Sequence, residues 1–132
     1  MGEQWRVNDP RIVAEVRDVF ERYERALVAN DIDTLVDLFR DAPETTRYGI
    51  DDVQHGHEEI AAFRRAAAQA TLPRRLVDTV ITTFSDDVAV VDTQFVPDGT
   101  TAVGRQSQTW LRTAAGWRVV SAHVSWAGGR AP

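Results

Sequence analysis

The sequence predicts an α+β domain in which three N-terminal helices cover a curved, mixed but mostly antiparallel sheet, leaving a small polar pocket inside a cone. Two observations carry that prediction. Apolar residues recur at steps of three and four in the first half of the chain, which is a helical period. Beyond Pro73 the chain reads as β-rich runs separated by short turn signals, which is the pattern of a meander. Helical segments first and strands last is the α+β order, and a sheet this long twists and curls.

Asn8-Asp9-Pro10 marks a helix start, with a capping side chain before a proline in the first turn, where its missing N–H costs nothing. Ile12, Val16, Val19, Phe20, Tyr23 and Leu27 then draw one stripe on a helix that Asn30 can end. Asp31 or Asp33 can cap a second, short helix carrying Leu35, Leu38 and Phe39, stopped by Asp41-Ala42-Pro43. Thr45 to Ile50 is rich in β-formers, and Val53 to Gly56 suits a second short strand. His57-Glu58-Glu59 opens a third helix, with acids where the dipole favours them and Ile60, Phe63 and Ala67 facing the core. Four strands follow: Arg75 to Phe84, Val88 to Val96, Thr101 to Thr113 and Trp117 to Trp126. Ser85-Asp86-Asp87, Pro97-Asp98-Gly99 and Ala115-Gly116 turn the chain between them. Gly128 to Pro132 is expected to fray.

The 132 residues fit a single domain with its core at about 8–126, and a chain of this length can bury a sizeable core. A net charge of −5 without basic runs argues against a nucleic-acid surface, which needs concentrated positive charge. The absence of cysteine excludes disulfides, thiolate metal sites and thiol nucleophiles. Met1 to Asn8 is polar and has no apolar segment of signal-peptide length, and no stretch approaches a membrane span, so a cytoplasmic location is the expectation.

Several residues could carry chemistry. Tyr23 lies on the apolar stripe, so its ring should point inward; its hydroxyl is either a satisfied core group or a proton-transfer group. A phenol is too weak an acid to serve as a base at neutrality unless a nearby cation favours the phenolate. Arg47 is either a surface arginine paired with an acid or a planar fork for a substrate carboxylate or urea carbonyl. Tyr48 points to the opposite face and reads as packing. Gln106, Gln108 and Trp110 share one strand face, and Arg105, Ser107 and Thr109 share the other; one face lines a wet pocket, and amide side chains suit a urea. His123 and Ser125 share a face of the last strand and are expected as pocket residues rather than a nucleophile pair, since no oxyanion loop accompanies them. Arg64 is either a rim cation for a second carboxylate or a solvated helix charge. His55 and His57 stand at a loop and helix start without paired carboxylates, so no metal and no cofactor is expected.

The segments Asn8-Asp9-Pro10, Arg22 to Asp31, Thr46-Arg47-Tyr48-Gly49, Ala62-Phe63-Arg64, Ile81 to Phe84, Gly104 to Trp110, Gly116-Trp117-Arg118 and Ala122 to Ser125 together resemble one family. It is the AtzH-like or HpxZ (oxalurate-catabolism) group of the SnoaL-like, nuclear-transport-factor-2-like superfamily. The resemblance spans Asn8 to about Trp126, and its Gly-Arg-Gln-Ser-Gln-Thr-Trp block is the most specific part. It implies the cone-shaped fold, a metal-free pocket, a homodimer through the outer sheet face and a small anionic ureido or amide substrate. It also implies a role in degrading small ureido compounds; the characterised branch of the family acts in cyanuric-acid breakdown, where a dicarboxylated urea gives allophanate. The family's essential tyrosine and arginine fall on Tyr23 and Arg47. Three functions stay open: a hydrolase acting on a C–N bond of a linear ureido or carboxylated amide, a non-catalytic binder or accessory of an amidase, and a purely structural dimer.

Overall fold

The computed structural model describes residues 4–66 and 73–129. Helix α1 (Pro10–Ala29) begins at Asp9, whose carboxylate accepts from the Arg11 N–H, and ends at Asn30 in the left-handed region (φ 54°). Asparagine tolerates that conformation, and its N–H closes onto the carbonyls of Ala26 and Leu27. Helix α2 (Ile32–Leu38) is capped by Asp31. The short strands β1 (Thr46–Tyr48) and β2 (Val53–His55) form a hairpin, and α3 (His57–Ala66) follows. The meander comprises β3 (Arg74–Thr83), β4 (Val88–Pro97), β5 (Gly104–Thr113) and β6 (Gly116–Trp126). Ala67 lies outside the described residues, as does the tail beyond a short 3-10 turn at Ala127–Gly129.

All six strands form one sheet in the order β2-β1-β6-β5-β4-β3. Only β1 with β6 is parallel; the other neighbours are antiparallel. The sheet is therefore mixed and mostly antiparallel, and the three helices cover one face. The core lies between them. Ile12, Val16, Phe20 and Leu27 of α1 and Leu35 and Leu38 of α2 meet Ile81, Ala89, Val91, Trp110 and Val119 of the sheet. Each large apolar side chain removed from water contributes about 1.5–3 kcal/mol before conformational entropy is set against it.

Two bulges decide which side chains face inward. In β6, Thr109 pairs with Ser121 while Trp110 pairs with Val119, so Val120 is an extra residue without a partner on β5. Trp117 and Val119 face the core before it; Ala122 and Val124 take over beyond it. In β3 the register slips between Val77 and Val80, where Asp78 sits at φ 53°. Such bulges re-aim every later side chain on a strand.

The third strand of the meander starts at Gly104 rather than Thr101. Thr100 explains the delay: its hydroxyl donates to the Pro97 carbonyl (2.9 Å) and accepts from the Ala102 N–H (3.3 Å). That local closure competes with the ladder. Gly104 then lies against the Phe95 ring, where a Cβ would collide.

Candidate functional site

The cone encloses a cavity of about 320 Å³, within the range of small-molecule sites. Four elements supply much of its polar wall. Helix α1 delivers Tyr23, because the stripe that buries Phe20 and Leu27 also turns Tyr23 inward until it is only 3% exposed. Its ring stands edge-on to Phe39 (6.1 Å) and Trp110 (6.3 Å), which fixes the direction of the hydroxyl. Helix α3 brings Arg64, strand β1 brings Arg47, and β5 brings Gln106 and Gln108. The strand parity left open by the sequence is thus resolved: Gln106, Gln108 and Trp110 point inward and are buried, while Arg105 and Ser107 are exposed on the outer face.

Arg47 and Tyr23 line the same cavity but share no hydrogen bond. The Arg47 Nη1 donates to Asp52 Oδ1 (2.6 Å) and Gln54 Oε1 (2.9 Å), and its guanidinium lies 5.0 Å from the Phe63 ring centroid. The β1–β2 hairpin produces this arrangement, because the Gly49 N–H bonds the Asp52 carbonyl and folds Asp52 back beside Arg47. The cation within reach of the phenol is Arg64, whose Nη2 donates to the Tyr23 hydroxyl at 3.4 Å. Among the described residues no carboxylate lies within ion-pair distance of Arg64, and its Nε is buried without a partner. Arg64 is accordingly an inward cation of the cavity, not a solvated helix charge.

The expectation for Ser125 needs correcting, whereas His123 is among the residues that line the cavity. Continuing the Trp117–Val119 alternation would turn both inward, but the extra residue at Val120 reverses the parity. His123 pairs with Ser107 and Ser125 with Arg105, on the outer face. The His123 ring packs edge-on to Tyr48 (5.8 Å) and, with it, lines the cavity; Ser125 does not.

Two cavity residues were not singled out from the sequence. Asp52 is the carboxylate of the lining; nothing in its sequence context distinguishes it from a turn residue. Arg74 reaches in from the start of β3 and is 4% exposed at its side chain. It holds Glu24 through two 2.7 Å bonds, donates to Gln106 Oε1 (3.0 Å) and stacks 4.2 Å from the Phe95 ring centroid. Among the described residues no group of three or more His, Cys, Asp or Glu side chains is gathered in a metal-binding arrangement. His57 is instead hydrogen-bonded through Nε2 to the Val36 carbonyl (2.8 Å).

The arrangement has a definite electrostatic character. Arg47 is matched by Asp52 and Arg74 by Glu24, which leaves Arg64 as the cavity guanidinium without a counter-charge among the described residues. Such a centre favours an anion.

A curved sheet of this order, closed by three helices over a polar cavity, defines a nuclear-transport-factor-2-like fold, and solved structures agree. A nuclear-transport-factor-2-like protein of unknown function from Pseudomonas putida superposes with a TM-score of 0.74 at 17% identity, covering 89% of this chain and 87% of its own. Within that fold the chain belongs to the AtzH-like family, whose model matches residues 5–129. A cystatin-like fold protein from Burkholderia xenovorans is 51% identical, with a TM-score of 0.87 over 92% of this chain and 96% of its own. A protein of unknown function from Pectobacterium atrosepticum is 47% identical, with a TM-score of 0.88 over 92% and 94%. No functionally curated protein matches the chain. The described helices include none long and apolar enough to cross a membrane.

Proposed function

We propose that the protein is a metal-free hydrolase that cleaves a C–N bond in a small, linear carboxylated urea or amide. The observation that supports this reading best is the Arg64 guanidinium, without a counter-charge among the described residues, beside the Tyr23 hydroxyl in the cavity (3.4 Å). Arg64 would hold the substrate carboxylate, and Arg47 on β1 would add a second guanidinium donor. Water would add to the carbonyl carbon, giving its proton to Asp52. As the C–N bond breaks, the leaving nitrogen would take a proton from Tyr23, and Asp52 would return one to the phenol through solvent. The products are an acid and an amine, and the side chains end as they began.

A second reading is a non-catalytic carrier or accessory for the same anions. It is favoured by one observation: Asp52 Oδ1 already accepts from both Arg47 and Gln54, so the carboxylate of the lining is engaged. Incubation of the purified protein with oxalurate, allophanate and a dicarboxylated urea, followed by NMR, separates the two. Catalysed loss of one substrate with appearance of the cleaved products supports the hydrolase. Saturable binding without turnover supports the carrier.

A further inference from the structure

The two glutamines on the cavity wall are held in one orientation each, and the atoms that hold them leave no ambiguity. Arg74 donates to one end of the Gln106 amide (3.0 Å), and the Trp110 indole N–H donates to one end of the Gln108 amide (3.2 Å). Guanidinium and indole nitrogens can only donate, so the atoms they touch must be the carbonyl oxygens. Both NH2 groups are therefore turned the other way. Gln106 is 7% and Gln108 1% exposed, and both Nε2 atoms are buried without a partner. The Tyr23 hydroxyl obeys the same logic: it accepts from Arg64, another obligate donor, which frees its proton to donate.

We infer that Arg74 and Trp110 are positioning residues that lock the two amides so that this wall of the cavity offers only hydrogen-bond donors. Gln106, Gln108 and Arg64 then donate to the oxygens of a carboxylate or carbonyl and reject a ligand that presents N–H at the same place. A buried donor facing a donor leaves both unsatisfied, which is the strong form of polar discrimination. Glutamine was attractive for a urea because it offers both kinds of group; here its acceptor half is already occupied inside the protein. The inference rests on the proposed site, but it concerns selectivity and does not require turnover.

The test compares oxalurate with its isosteric terminal amide, oxaluramide, by calorimetric titration of the full chain. The wild type should bind oxalurate roughly tenfold or more tightly. In Trp110→Phe the Gln108 amide is released and can turn over, so the affinity ratio should fall by roughly fivefold. Because Trp110 is a core residue, Gln108→Glu provides a second reading with the same shape: it keeps the acceptor for Trp110 and replaces the inward donor with an oxygen. It should lose oxalurate binding roughly tenfold while sparing oxaluramide. An unchanged ratio in folded Trp110→Phe, equal weakening of both ligands by Gln108→Glu, or no binding of either ligand by the wild type at millimolar concentration would overturn the inference. Selective binding without turnover would sink only the hydrolase reading. Turnover with an unchanged ratio would sink only the positioning role.

Discussion

Replacing Tyr23 with phenylalanine removes one oxygen and separates chemistry from packing. The ring keeps its edge-on contacts with Phe39 and Trp110, so no apolar cavity opens. What is lost is a single hydrogen bond at 3.4 Å from Arg64, long for this class. Its removal should cost about 1 kcal/mol or less, a fall in Tm of about 4 °C or less for a domain of this size. If the phenol delivers the proton to the leaving nitrogen, turnover should fall about 10²- to 10⁴-fold, equivalent to roughly 3–5 kcal/mol in the barrier. Substrate affinity should change by less than about tenfold, because the Arg64 charge remains. Single-turnover kinetics on oxalurate or the accepted homologue, with calorimetric titration alongside, read both quantities. Turnover within about threefold of the wild type in a folded Tyr23→Phe protein would refute the assignment of proton transfer to this hydroxyl.

Other perturbations follow from the same contacts. Arg74→Met strands the Glu24 carboxylate against the core and should cost about 3–5 kcal/mol in urea unfolding, with much of the loss recovered when Glu24→Gln is added. Gly104→Ala places a methyl in the Phe95 ring; the resulting overpacking should cost about 1–3 kcal/mol and, because Phe95 lines the cavity, weaken ligand binding as well. The Glu15 carboxyl is held below its usual range, first by the Arg112 side chain and then by the Trp117 indole. Its folded-state pKa lies below the unfolded one, so this stabilisation is present above the unfolded value and fades as pH falls through the folded one. Glu15→Gln should therefore lower stability at neutral pH and flatten the decline below about pH 5, as followed by thermal melts across pH.

Much of the fold was legible because single residues announce it. Asp9 with Pro10, Asn30 and Asp31 mark helix boundaries that the structure keeps. Turn signals at Pro97-Asp98-Gly99 and Ala115-Gly116 separate the strands as expected. The site was legible only where side-chain direction follows from a regular period. The helical stripe of α1 turns Tyr23 inward without ambiguity. On β6, one unpaired residue at Val120 reverses the alternation, and no local feature distinguishes it from its β-branched neighbours; Ser125 was misplaced for that reason. Arg64 stays open in the sequence between a rim cation and a solvated charge because it flanks its helix's apolar stripe, and only tertiary closure brings that flank over the cavity. Arg74 and Asp52 reach the lining through a strand end and a hairpin turn, positions fixed by tertiary closure rather than by a sequence period.

The claim beneath the whole account is that Arg64 leaves an uncompensated positive charge inside the cavity for an anion to neutralise. Calorimetric titration of oxalurate into the wild type and into Arg64→Met tests it directly. Saturable binding by the wild type is expected, with a loss of about tenfold or more in the variant and the fold retained. Equal affinity in the two proteins would contradict it.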